Sequence, residues 1–174
     1  MPKQRRGAGH RIGPFLRASA YPLYQGARSP VIDTVVSNAI PHRFPIGIDP
    51  TDIDFMGHVN NASYLKWVQE AVLDHWRALA PSEAVAQHLW VALKHEITYR
   101  KPTFLDDDVI ATVLLEKVQG ARAFYETVIR RGEEVLAEVK SSWCCIDASS
   151  LRPARLTREV IDRFFASDDG EERG

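Results

Sequence analysis

Apolar positions along the chain recur with two different periods, and the changeover between them divides the molecule. From His42 to Asp49, Phe44, Ile46 and Ile48 alternate with their neighbours, the period of a short strand. Asp49-Pro50-Thr51 then opens a turn. From Ala62 to Ala80 the period becomes helical. Tyr64, Leu65, Val68, Ala71, Val72, His75, Trp76 and Leu79 form a broad apolar face, against a narrower polar stripe of Lys66, Gln69, Glu70, Asp74 and Arg77. Asn60 or Asn61 is the natural cap, and Pro81 ends the run. A face this wide predicts a helix wrapped by the rest of the fold.

Beyond the helix the period returns to two. Val91, Leu93, His95, Ile97 and Tyr99 alternate with Ala92, Lys94, Glu96, Thr98 and Arg100. A β-branched run from Val109 to Lys117 reaches a hairpin at Gln119-Gly120, and Ala121 to Arg131 turns at Gly132-Glu133. Glu134 to Ile146 alternates again, with Val135, Ala137, Val139 and Trp143 on one side. After Pro153, Thr157 can cap a short helix with Val160, Ile161, Phe164 and Phe165 as its stripe. One strand, one long helix and four turn-linked strands predict an α+β fold, an antiparallel sheet curled around a single helix.

This domain is expected over residues 41–166. Residues 1–40 carry Lys3, Arg5, Arg6, Arg11, Arg17 and Arg28, with no acidic residue before Asp33 and with glycines and prolines throughout, and read as a flexible basic arm. Residues 167–174 read as a frayed acidic tail. A net charge of -1 gives no global pull toward nucleic acid or acidic membranes. No apolar run approaches the roughly 18 residues of a membrane span, and no signal-type apolar core follows the basic N-terminus. Cys144 and Cys145 are adjacent, a spacing that disfavours an ordinary disulfide, so a reduced, cytoplasmic setting is expected.

The candidate chemistry lies between Asp52 and Tyr64. Asp52, Asp54, His58, Asn60 and Asn61 share one short loop with Gly57, directly before the long helix. A helix start offers free N–H groups that hold negative charge, and a carboxylate nearby is favoured in its charged form. Such a carboxylate can act as general base or as nucleophile, and His58 can bind, donate a proton or brace the loop. No metal site is called for: His10, His42, His58, His75, His88 and His95 lack paired ligand spacing. No Gly-x-Ser-x-Gly elbow supports a serine nucleophile. Arg100-Lys101 and Arg130-Arg131 place cations at strand ends.

The segment Asp52-x-Asp54-x-x-Gly57-His58-Val59-Asn60-Asn61-Ala62-x-Tyr64 resembles the active-site segment of hotdog-fold acyl-CoA thioesterases of the 4-hydroxybenzoyl-CoA thioesterase type. Ile97-Thr98-Tyr99-Arg100-Lys101-Pro102 with Asp107-Asp108-Val109 is similar to the second strand and turn of such enzymes. The resemblance implies the hotdog fold, dimers or tetramers with active sites at the interface, and no cofactor. It implies Asp54 as the catalytic carboxylate and the Asn61 backbone N–H as the donor to the thioester carbonyl. His58 is a further catalytic candidate, and Gly57, Asn60, Tyr64, Arg100 and Lys101 are candidates for the substrate, the last two for coenzyme A phosphates. The related plant acyl-carrier-protein thioesterases carry Asp, Asn and His in this loop; here Met56 stands where the Asn would be. The other readings weighed are a non-catalytic acyl-CoA-binding hotdog protein and a hotdog dehydratase or hydratase. His42-Arg43-Phe44-Pro45 has only a superficial likeness to the latter.

Overall fold

Helix α1 (Asn61–Leu79) is the element that the other elements cover. Asn60 caps it with its side chain, and the extended conformation that Pro81 imposes on Ala80 ends it. The computed structural model describes residues 38–166; the expected acidic tail and all but the last three residues of the expected basic arm lie outside the described residues.

Five strands form one antiparallel sheet: β1 (His42–Ile46), β2 (His88–Tyr99), β3 (Val109–Gln119), β4 (Arg122–Arg131) and β5 (Glu134–Asp147). Their order is β1-β3-β4-β5-β2, so two hairpins make the centre while β1 and β2 are the edges. Helix α1 lies across the inner face, against β3, β1 and β2. Tyr64, Trp67, Val68, Ala71, Val72, His75 and Trp76 are buried there, and Leu65 stays at the surface. Each fully buried Val or Trp of this face contributes on the order of 1.5–3 kcal/mol. A short α3 (Arg158–Asp162), capped by Thr157, brings Phe164 onto Trp76 with the rings parallel. This is the predicted architecture, a sheet curled around one central helix. No helix among the described residues is long and apolar enough to cross a membrane.

Three details depart from the sequence pattern. A six-residue helix, α2 (Ser82–Gln87), follows α1 directly, too short for a 3.6-residue period to stand out. β1 stops at Ile46, because Asp49 is taken up in capping a 3-10 turn at Pro50–Asp52. The alternation read along β2 is broken by a bulge between Ala92 and Lys94. A bulge adds a residue and exchanges the faces. Val91 and Leu93 are therefore exposed, while Ile97 and Tyr99 beyond it turn inward against the core.

His75 is the one imidazole of α1 and has no solvent exposure. It stacks on His42 at 5.3 Å and meets Tyr125 and Phe164 edge-on, and neither ring nitrogen has a hydrogen-bond partner among the described residues. His42 itself binds Asp74 at 2.7 Å. Burial, reinforced by His42 and opposed by Asp74, pushes the His75 pKa down to about 4. Free imidazole titrates near 6.5, so between those values the unfolded chain takes up a proton that the folded chain refuses. The stability associated with neutral His75 is complete above pH 6.5 and is lost as pH falls toward 4, by about 3 kcal/mol in all. Urea unfolding at pH 7 and pH 4.5 is expected to show a smaller acid penalty in His75→Leu than in the wild type.

Candidate active site

The loop that leads into α1 is built from reciprocal caps. Asp49 Oδ1 accepts the Thr51 N–H at 2.8 Å, and Asp52 Oδ2 accepts the Asp49 N–H at 3.0 Å. Together they close the 3-10 turn as a capping box. The Thr51 hydroxyl, with the Thr51 amide, holds the Asp49 carboxyl below its ordinary value. The second oxygen of Asp52 accepts the Ser63 hydroxyl at 2.9 Å, and the Asp52 carbonyl accepts the Asn60 N–H at 2.8 Å. Asp52 is buried and ties the 3-10 turn to the first turn of α1.

Ile53 and Val59 pair as an isolated antiparallel bridge, and the Asp54 N–H donates to the His58 carbonyl at 2.9 Å. The intervening turn, Asp54-Phe55-Met56-Gly57, is closed by the Gly57 N–H on the Asp54 carbonyl at 3.0 Å. Gly57 has φ +82°, a left-handed conformation that glycine adopts without strain. Asp54 Oδ1 accepts the Met56 N–H at 2.8 Å, which orients its carboxylate. Asp54 Oδ2 lies 3.4 Å from Nδ1 of the buried His58, and the same nitrogen is 3.4 Å from the Val59 carbonyl oxygen. The Asp54 side chain keeps 14% of its surface open to solvent. The two aspartates therefore differ: Asp52 is enclosed in structural bonds, and Asp54 stands at the rim with His58 behind it.

At the helix start Asn60 Oδ1 accepts the Ala62 N–H at 2.9 Å, and the Asn60 carbonyl accepts the Ser63 N–H at 3.0 Å. Asn61 is exposed, and its N–H, at the first helical position, meets no acceptor among the described residues. Tyr64 turns into the core and shares a 2.7 Å hydrogen bond with the buried Thr103 hydroxyl. Arg100 sets Nε and Nη2 on one oxygen of Glu138, at 2.7 and 2.6 Å, and Lys101 Nζ stands 3.8 Å from Glu134. Both expected phosphate-binding cations thus have carboxylate partners. Glu70 is exposed on the helix, as its place on the polar stripe implies.

The sequence reading did not single out Ser63, Tyr99 or Thr103. Tyr99 donates to the Asn61 carbonyl at 3.0 Å, and the Thr103 carbonyl accepts the Val59 N–H at 2.8 Å. Tyr99 lies within the resembling Ile97-Thr98-Tyr99-Arg100-Lys101-Pro102 segment and Thr103 follows it directly, the one signal that could have drawn attention to them. Among the described residues no group of three or more His, Cys, Asp or Glu side chains is arranged to hold a metal ion. The crevice lined by Trp76, Trp90, Tyr125 and Phe164 lies toward the other end of α1, and none of the loop residues borders it.

The profile of the thioesterase-like superfamily matches residues 48–164. The long-chain acyl-CoA thioesterase FadM of Escherichia coli is 29% identical over 119 residues, which are 64% of this chain and 88% of that protein. The acyl-CoA thioesterase YbgC of Haemophilus influenzae is 25% identical over 125 residues, 70% of this chain and 92% of that one. Among solved structures, a probable thioesterase from Bartonella henselae superposes with a TM-score of 0.59 at 27% identity, covering 68% of this chain and 99% of its own.

The separation of the two aspartates yields a stability test that is independent of chemistry. Asp52→Ala strands the Ser63 hydroxyl and the Asp49 N–H, and is expected to lower unfolding free energy by about 1–3 kcal/mol in denaturant titrations.

Proposed function

The chain belongs to the thioesterase-like superfamily, and on that premise we propose that it hydrolyses acyl-CoA thioesters, with Asp54 as the catalytic carboxylate and the Asn61 N–H as the donor to the carbonyl oxygen. The observation that carries this reading is the contrast between the braced, buried Asp52 and the rim-placed Asp54 beside a helix start with an open N–H. A thioester carbonyl gains negative charge on attack, and an N–H at the positive end of a helix stabilises it. The leaving thiolate derives from a thiol of pKa near 8.5 and needs little acid assistance. A carboxylate and one well-placed donor therefore suffice. Asp54 either removes a proton from water or attacks to form a mixed anhydride. Enzyme oxygen in the first-turnover acid formed in heavy-oxygen water marks the anhydride route with water attacking the Asp54 carboxyl carbon. Attack on the acyl carbon of the anhydride gives the same label as the general-base route and calls for trapping of the anhydride.

His58 fits a support for Asp54 at 3.4 Å. Gly57 and Asn60 line the approach through backbone, and Tyr64 acts from behind through Thr103. Lys101, with the looser of the two ion pairs, and Arg100 would meet the coenzyme's phosphates by exchanging their carboxylates for them.

A second copy completes the site in this reading. Phe55, next to Asp54, is 97% exposed and Met56 beside it is open. The edge strand β2 also presents Leu89, Val91 and Leu93 to solvent. A long apolar strand edge with no neighbouring strand among the described residues favours pairing with another chain. Such pairing would give a dimer, the unit from which a tetramer would be built. Val91→Lys is expected to shift the molecule toward monomer in sedimentation equilibrium and to reduce thioester cleavage with it.

Thiol release from short, long and aromatic acyl-CoAs, wild type beside Asp54→Ala, tests the chemistry. Cleavage by the wild type and a loss of at least about a hundredfold in the variant are expected. Equal cleavage by both would remove Asp54 from its role, and acyl-CoA binding without cleavage would favour the binding protein.

A further inference from the structure

The segment that ends β2 is fastened to the start of α1 by three hydrogen bonds. The Val59 N–H donates to the Thr103 carbonyl at 2.8 Å, the Tyr64 and Thr103 hydroxyls meet at 2.7 Å, and the Tyr99 hydroxyl donates to the Asn61 carbonyl at 3.0 Å. The Tyr64 and Tyr99 rings pack edge-to-face at 5.1 Å between these bonds. Thr103 and Tyr64 are buried, whereas the Tyr99–Asn61 bond lies at the surface, at the outer end of the fastening.

The position of that last bond matters. On the N-terminal side of Asn61, the chain is fixed by the Asn60 N–H on the Asp52 carbonyl at 2.8 Å. On the C-terminal side, the Asn61 carbonyl is fixed by Tyr99. The peptide that presents the Asn61 N–H is held between two anchors, one from the loop and one from the sheet. We propose that Tyr99 is a positioning residue whose hydroxyl, acting through the Asn61 carbonyl, sets the aim of the Asn61 N–H at the substrate's carbonyl oxygen. This assignment rests on the thioesterase reading and deepens it.

First-turn residues of a helix fray readily, because they lack half of the intrahelical bonds. An N–H that must meet a developing oxyanion loses effect with displacements of about half an ångström. A tether on the carbonyl of the same residue limits that displacement before substrate arrives. Charge on the oxygen is greater in the transition state than in the bound thioester, so loss of aim weighs on turnover more than on binding.

Tyr99→Phe keeps the ring and its packing on Tyr64 and removes only the hydroxyl. The expected result is a five- to tenfold fall in kcat with KM within twofold and a melting temperature within about 2 °C of wild type, the size of one lost hydrogen bond. Unchanged kcat would overturn the assignment. So would a fall in kcat that tracks a fall in melting temperature, which marks a purely structural bond. Nitrogen-15 relaxation gives a readout that does not depend on turnover. The Asn61 amide order parameter is expected to drop in Tyr99→Phe while those of mid-helix residues such as Val72 hold, and an unchanged Asn61 value would overturn the tether. If the wild type releases no thiol from any acyl-CoA, the thioesterase reading fails, and the assignment of Tyr99 to the aim of a catalytic donor falls with it. A lowered Asn61 order parameter would then leave only a structural tether.

Discussion

Burial of the broad apolar face of α1 is the requirement that the rest of the chain meets. Seven of its nineteen residues are buried, including two tryptophans, and a flat sheet would touch only one strip of such a helix. The five-stranded sheet curves, with β1 and β2 as its two margins and α1 across the hollow. The demand also fixes where the unusual polar groups appear. Along the helix the polar atoms of His75 have no partner in the core among the described residues, whereas the Tyr64 hydroxyl finds one in Thr103. At the N-terminus the backbone has N–H groups with nowhere to go inside the helix. The loop before α1 and the end of β2 both converge on that terminus, so the place where the fold needs polar partners is also where it can offer a donor to a ligand.

The two aspartates show how one short loop separates support from exposure. Asp52 gives one oxygen to the Asp49 amide and the other to Ser63, and its backbone carbonyl takes the Asn60 amide. Those bonds hold the 3-10 turn against the helix and engage both carboxylate oxygens of Asp52. Asp54, two residues on, is kept in one orientation by a single backbone amide and backed by His58. Without the brace, a carboxylate at the rim would rotate among several rotamers, and fixing it would cost entropy. Asp52 thus fixes the 3-10 turn that leads into Asp54, while Asp54 itself is oriented by the Met56 amide.

Much of this was legible in the sequence. The bounds of α1 were readable to within a residue because Asn60 and Pro81 are strong local signals, and the hairpins because Gly120 and Gly132 follow alternating runs. The fold class followed from the order of the periods. Other features depended on contacts between distant positions. The bulge between Ala92 and Lys94 exchanges the faces of β2, and it is seen only in the pairing with β5. Sorting Asp52 from Asp54 requires Ser63, eleven residues away, and both residues look alike in an Asp-x-Asp. Tyr99 and Thr103 meet Asn61 and Tyr64 across 38 and 39 residues. No spacing within either segment encodes those meetings.

The same long-range contacts bear on the proposed thioester cleavage. On the proposed reading, thioester cleavage does not ask for a strong general acid, because the leaving thiolate derives from a weakly acidic thiol of pKa about 8.5. What it does ask for is geometry: a carboxylate and an N–H fixed relative to each other, though they belong to different local structures, a turn and a helix. Neither element could hold that relation alone. The turn is short and exposed at Phe55, and the first helical turn lacks half of its bonds. Asp52 joins the turn to the helix from one side, and Thr103 with Tyr99 joins the helix to the sheet from the other. The rigidity of the core, built by burying α1, reaches the surface through these few hydrogen bonds and is delivered to the rim where Asp54 and Asn61 stand.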